Sequence, residues 1–455
     1  MKSDSTAPAL RVAFAVALLA GPAAAAGSDT LGPWLQEPSR DGAVVVWETP
    51  TPSDGAVVVE TSQGERRFAS ERGVHHEVRI AGLAPGRYRY RVDDGGPSAP
   101  TGELATAATG DRFTFLVIGD TRDADEPHRR LVAEMVREAP DLVLHLGDMV
   151  RAGADDDEWR RFFAIEAPLL ASTPLYPALG NHELVGDPEA SHFHRYFVLP
   201  DEPGGRFYRF RYGNALFIAL DGNDSGSPTQ ARWLARSLEE ADADPEIQHV
   251  FVFVHQPPFS DGVFCGIAPD ESLWVASFEQ HRRKLRVVFS GHEHNYERLA
   301  RHGVRYVVTG GGGAYLIPRR DDCPAVDRAA LRDFRAVHHY LRIRVRGGLA
   351  VMDAIAVDGQ VIDSVRLDEP PAATPLLQAA DFRARSGITC SISPSIHPDR
   401  LRRSSVKYRE YSPSSLLAGS RASTAISDQL IPDRAIRPVR RPPDPRHHPE
   451  DAIPQ

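Results

Sequence analysis

Residues 31–107 alternate apolar and polar positions with the two-residue period of strands that bury one face. The runs Ala43–Trp47, Ala56–Val59, His76–Ile80 and Arg87–Val92 are β-rich and are separated by Asp, Gly, Pro and Ser turns at sandwich-like spacing. In the last run Tyr88 and Tyr90 alternate with arginines, so one face is aromatic and the other charged. After Thr109 the pattern changes. Short apolar runs (Phe113–Ile118, Leu142–Leu146, Ala215–Leu220, Val250–Val254, Val287–Phe289) alternate with stretches of helical period such as 127–138 and Trp233–Leu238. Tyr306–Val308 and Leu341–Val345 add late strands. Strands alternating with helices predict a layered α/β unit whose ligands bind beyond the carboxyl ends of the strands. The expected architecture is an all-β sandwich followed by an α/β domain.

The ends of the chain follow neither pattern. Residues 1–26 read as a secretory signal peptide: Lys2 and Arg11 precede or open the apolar core Val12–Ala20, and Ala24–Ala26 offers a small-residue cleavage site. A spanning helix needs about 20 apolar residues, so export to the periplasm or the medium is expected in preference to an uncleaved anchor. From 370 to 455 no hydrophobic period is sustained, and 13 Arg and Lys stand against 8 Asp and Glu. This basic Pro/Ser/Arg-rich tail is expected to stay disordered, because it buries too little apolar surface to offset ordering entropy. The expected division is 1–26 signal peptide, 27–109 β-sandwich, 110–369 α/β domain and 370–455 tail.

Composition narrows the class. The 455 residues have a formal charge of −9, 25% charged and 42% hydrophobic residues, which excludes a collagen, a coiled coil and a wholly disordered chain. A pI near 6.1 argues against a dedicated nucleic-acid binder. Only Lys2, Lys284 and Lys407 are lysine among 53 basic residues, a bias read as codon usage. Export permits disulfides. Cys265 and Cys323 lie in irregular stretches after strands and either bridge two loops or remain free thiols, while Cys390 sits in the tail.

Five strand-end motifs carry the candidate chemistry: Gly119-Asp120-Thr121-Arg122, Gly147-Asp148, Gly180-Asn181-His182-Glu183, Val254-His255 and Gly291-His292-Glu293-His294. Each alone is weak, since Gly-Asp is common and a buried His is usually a satisfied core residue. Together they supply two carboxylates, a carboxamide and four imidazoles. That mixture suits metals of intermediate hardness, Fe, Mn or Zn, and not a thiolate site. The glycines let the backbone turn sharply beside the ligands.

The ordered set resembles the calcineurin-like metallophosphoesterases, most closely their exported purple-acid-phosphatase-like branch. There a fibronectin type III-like domain precedes a four-layer α/β/β/α catalytic domain. The resemblance runs from residue 31 to about 367 and includes Tyr208–Asp221 and the glycine run Gly310–Gly313. Gly82–Tyr90 resembles the leucine, proline, glycine and tyrosine corner of fibronectin type III-like domains. The resemblance implies two metal ions bridged by Asp148, one completed by Asn181, His255 and His292, the other by Asp120 and His294. It makes His182 a general acid or phosphate contact.

Two departures stand out. Many relatives have His two residues after the first Asp, where this chain has Arg122, so the first ion is expected to bind more weakly. Purple members have Tyr three residues after the second Asp, where this chain has Arg151, so the tyrosinate-to-iron colour is not expected. Arg122 either offers its fork to a substrate phosphate or pairs with Asp123 or Asp125. Of the remaining residues, His145 reads as a core histidine and Glu293 as turned away from the ions. Tyr296 reads as packing, and His192 and His194 as the surface of a lid.

The implied function is an exported phosphatase that hydrolyses small phosphomonoesters with a metal-bound hydroxide. A phosphodiesterase or nucleotidase shares that chemistry. A binding protein with a decayed metal site is the different-class alternative, and joint retention of Asp120, Asp148, Asn181, His182, His255, His292 and His294 argues against it. No nucleic-acid partner and no integral membrane span after signal cleavage are expected. The sequence sets no oligomeric state.

Overall fold

The computed structural model describes residues 30–96, 99–107, 110–200, 205–267, 273–320, 323 and 325–371. The expected signal peptide and nearly all of the expected tail lie outside the described residues.

The four expected N-terminal strands are present, as Gly42–Ser53, Ala56–Thr61, Gly73–Ile80 and Arg87–Asp93. Three further strands complete two sheets. Leu31–Ser39, Gly42–Ser53 and Gly73–Ile80 form the first; Gly64–Ala69, Ala56–Thr61, Arg87–Asp93 and Thr101–Ala105 form the second, in that spatial order. Alternate residues point between them, and Leu35, Val45, Trp47, Val57, Val59, Tyr90 and Val92 build the shared core. Tyr88 Oη donates to the Ala84 carbonyl at 2.8 Å and closes the Leu-Pro-Gly corner.

The rest of the chain builds two stacked sheets. One runs Leu175–Pro177, Leu142–His145, Arg112–Ile118, His339–Arg346, Leu349–Ala356, Val361–Arg366; the other runs Tyr208–Tyr212, Ala215–Leu220, His249–Val254, Leu285–Ser290, Val304–Thr309, Tyr296–Arg301, Leu331–Arg335. Their facing sides share one apolar core, in which Phe115 makes ring contacts with Phe217, Phe251 and Phe289. Helices Asp125–Arg137 and Asp156–Leu170 cover the outer face of the first sheet, and Pro228–Ala243 and Val275–Gln280 that of the second. The architecture is α/β/β/α, preceded by a β-sandwich.

Parallel pairing within each sheet decides where the motifs fall. Arg112–Ile118, Leu142–His145 and Leu175–Pro177 are mutually parallel, as are Ala215–Leu220, His249–Val254, Leu285–Ser290 and Val304–Thr309. Parallel strands deliver their carboxyl ends to one edge. The segments holding Asp120, Asp148, Asn181, His255 and His292 all follow such ends.

The sandwich is joined to the α/β layers by an apolar seam. Trp34 stacks on Phe163 with ring centroids 4.2 Å apart, and its Nε1 donates to the Tyr196 carbonyl at 3.0 Å. Val44 and Val46 enter the same core. Cys265 and Cys323 are bridged, with Cα atoms 5.3 Å apart. Among the described residues, no helix is long and apolar enough to cross a membrane.

Candidate metal centre

Three of the expected ligands sit in the left-handed region: Asp120 at φ 58°, Asp148 at φ 56° and His292 at φ 69°. Such positions cost on the order of 1–3 kcal/mol each and persist only where surrounding contacts impose them. Those contacts are present. The His292 amide donates to both Asp120 carboxylate oxygens, at 3.1 and 2.9 Å. Buried Glu183 receives the amides of Asp148, Met149 and Gly180 at 2.8–2.9 Å, tying two ligand loops together. A Cβ on Gly180 would stand 2.4 Å from Asp148 Oδ1, and one on Gly291 2.4 Å from Asp120 Oδ2, so both must be glycine.

Asn181, His255 and His292 converge on one side of Asp148. His255 Nδ1 donates to the Leu146 carbonyl at 2.8 Å, which turns Nε2 inward. That nitrogen lies 3.0 Å from Asn181 Oδ1, 3.2 Å from Asp148 Oδ1 and 3.2 Å from His292 Nδ1. Four lone-pair atoms therefore face one another, an arrangement that calls for a cation between them. For Asp148 burial works against the carboxylate, but His255, His182 and Arg122 keep its carboxyl well below the usual range. The donor set fits a metal ion.

Asp120 and His294 lie on the other side. One ligand atom from each of Asp120, Asp148 and His294 falls within 4.8 Å of the other two. His294 Nδ1 donates to the Tyr315 carbonyl at 2.8 Å, so its Nε2 is the available lone pair. Into this half reaches Arg122, whose Nε donates to Asp148 Oδ2 at 3.2 Å and whose Nη2 stands 3.4 Å from His294 Nε2. Nη1 donates to Asp123 at 2.8 Å. Asp123 also pairs with Arg151 at 2.8 Å, and Arg151 with Glu158. Asp125 pairs instead with Arg129 and Arg161.

His182 stands beside the centre. Its Nδ1 donates to the Arg151 carbonyl at 2.7 Å, leaving Nε2 3.9 Å from Asp148 Oδ2. All eight expected site residues thus gather at one edge. His145 is buried and contacts Thr121 Oγ1 at 3.0 Å, a core histidine that braces two ligand loops. Tyr296 is buried and donates to Asp363 at 2.6 Å. His192 is tied to Asp187 at 2.9 Å. Glu293 faces away from the ligands' inner atoms and receives the Val263 amide at 2.8 Å and that of Phe264.

Some contributors had no sequence signal. The Leu146, Arg151 and Tyr315 carbonyls orient three imidazoles, and a main-chain acceptor is invisible in residue type. Phe264 is 50% exposed and lies 4.5 Å ring to ring from His292, on the loop that Cys265–Cys323 pins. Glu183 stood within a motif, yet nothing marked it as the clamp.

A family profile for calcineurin-like phosphoesterases matches residues 113–296, the segment holding all five motifs. The chain carries a calcineurin-like phosphoesterase domain. Within that class it is 26% identical over 296 residues to purple acid phosphatase 5 of Arabidopsis thaliana, covering 61% of this chain and 69% of that protein. It is 29% identical over 305 residues to an uncharacterized protein of Mycobacterium tuberculosis and spans about half of that relative's length, 56% of each chain being covered. Purple acid phosphatase PPD1 of yellow lupin (Lupinus luteus) has the same fold, with a TM-score of 0.64 over 76% of this chain and 77% of that one at 16% identity.

Proposed function

We propose that this protein is an exported, metal-dependent phosphoric ester hydrolase acting on phosphomonoesters. The observation that carries the reading is the convergence of Asp148, Asn181, His255 and His292 with His182 Nε2 held alongside. Asp148, Asn181, His255 and His292 would hold a metal ion, which when bound would supply Lewis-acid polarisation of a phosphoryl oxygen and activation of water.

The chain's own residues do the rest. Arg151's carbonyl fixes the Nδ1 proton of His182, so Nε2 is the atom that carries a proton to the departing alkoxide. Asp148 splits its oxygens between the two halves and sets the charge of both. Phe264 and Tyr315, 50% and 63% exposed, give the centre apolar flanks against which the organic part of an ester packs. The Cys265–Cys323 bridge supports export, since such bridges persist in oxidising compartments.

Hydrolysis of 4-nitrophenyl phosphate and of bis(4-nitrophenyl) phosphate, with and without a chelator, tests the reading. Chelator-sensitive turnover of the monoester above the diester is expected. Faster diester turnover replaces it with the phosphodiesterase reading, and no turnover with any added metal leaves a binding protein.

A further inference from the structure

The two halves of the centre are unequal in one respect: the Asp120–His294 half already contains a positive charge. Arg122 spends its donors on the atoms that would bind the first ion. With Nδ1–H of His294 committed to the Tyr315 carbonyl, Nε2 is that ring's only lone pair, and Arg122 Nη2 donates to it at 3.4 Å. Asp148 presents Oδ1 to His255, 3.2 Å away, and Oδ2 to Arg122 Nε, also 3.2 Å away.

The guanidinium is also held there. Its side chain is only 15% exposed, and Nη1 is anchored by Asp123, which is itself fixed by Arg151. The Arg122 amide donates to the Asp148 carbonyl at 3.3 Å, locking the backbone that carries it. A guanidinium is permanently protonated and has no lone pair for a metal. An ion added among Asp120, Asp148 and His294 therefore meets a fixed like charge and finds two of its donor atoms engaged.

We propose that the Arg122 guanidinium is the resident cation of the first metal position, so that each chain binds one metal ion, at Asp148, Asn181, His255 and His292. The proposal rests on reading this centre as a metal site, not on the ester that it cleaves. It replaces the sequence expectation of a weaker first ion with a position filled by the chain itself. Arg122 then does by fixed charge what a second ion does elsewhere: it neutralises Asp148 and presents positive charge to an incoming anion.

Metal content decides the matter. Full-length protein is stripped with chelator, reloaded with Zn²⁺, Mn²⁺ or Fe²⁺ singly, desalted and analysed by elemental mass spectrometry. One equivalent per chain is expected for wild type. Arg122→His, which removes the fixed charge and restores a ligand, is expected to raise the count to two. His294→Ala is expected to keep one equivalent and His292→Ala none. Two equivalents retained by wild type, or loss of the only ion in His294→Ala but not in His292→Ala, overturns the proposal. Should Arg122→His fail to fold, the wild-type count alone decides. One equivalent without hydrolysis of any phosphate ester sinks the enzymatic reading and leaves this assignment standing; two equivalents with hydrolysis does the reverse.

Discussion

The Asn181 side of the centre and the Asp120 side share one carboxylate, and each adds an imidazole aimed by a backbone carbonyl. Beyond that they differ: on the first, Asn181 is uncharged and the supporting loop is pinned by a disulfide. On the second, Asp123, Arg122, Arg151 and Glu158 form a chain of ion pairs running out from the centre. Neutral partners leave a need for positive charge that an ion meets, while the charged partners meet that need from within the chain. One carboxylate between two stacked sheets thus meets opposite treatment on its two sides.

The largest test of that contrast is to delete a donor on each side. His255→Ala should lower phosphomonoester turnover by about 10³-fold or more, as expected when several kcal/mol of metal-borne stabilisation is lost. His294→Ala should cost no more than about 10²-fold, the scale of losing one hydrogen-bonding group near the reacting atoms. Equal losses in steady-state assays would erase the difference between the sides.

Next in size is His182→Ala, expected to reduce kcat by about 10²-fold while metal content stays unchanged. A parallel fall in bound metal would make His182 a ligand instead. Cys323→Ser should then destabilise the protein by about 2–4 kcal/mol, the scale for opening a loop whose cysteines are 58 residues apart. Because that loop carries Phe264, KM for aromatic esters should rise more than KM for alkyl esters. An unchanged melting temperature would show that the Asn181 side needs no covalent support.

The smallest effect lies under the same loop. Burial raises Glu297 to about 7, despite hydrogen bonds from the Asp261 amide and Ser260. A carboxyl raised in the folded state favours folding fully below its unfolded value near 4.5 and loses that contribution as pH climbs through 7. The melting-temperature gap between wild type and Glu297→Gln should therefore be widest in wild type's favour at about pH 4.5 and shrink by about pH 8. A gap that widens with pH would mean Glu297 is ionised in the fold.

Much of this was legible beforehand because it depends on residue type and strand order. Apolar runs ending in Gly-Asp or Val-His announce both the strand and the loop, and parallel pairing does the gathering. What stayed hidden depends on geometry that residue type does not encode. Arg122 turns inward because Asp120 before it is left-handed and Asp123 after it is clamped by Arg151. The strand Leu31–Ser39 carries Pro33 and Pro38, which read as loop signals. Gly64–Ala69 is an edge strand with little apolar content, so its period is weak. Helix Asp156–Leu170 buries Trp159, Phe162, Phe163, Leu169 and Leu170, but it opens on three consecutive acidic residues, which blur its apolar period. Pro168 within it breaks the pattern near its end.

The seam made by Trp34 and Phe163 sets a limit on how this protein can be cut or recombined. Its sandwich is not a bead on a string. A fragment starting at residue 110 would strip Trp34 from Phe163 and Tyr196 and turn those two rings from interior toward surface. Exposed aromatic area of that kind drives self-association. The sandwich and the α/β layers therefore have to be expressed as one piece, because the aromatic seam between them is interior only when both are present.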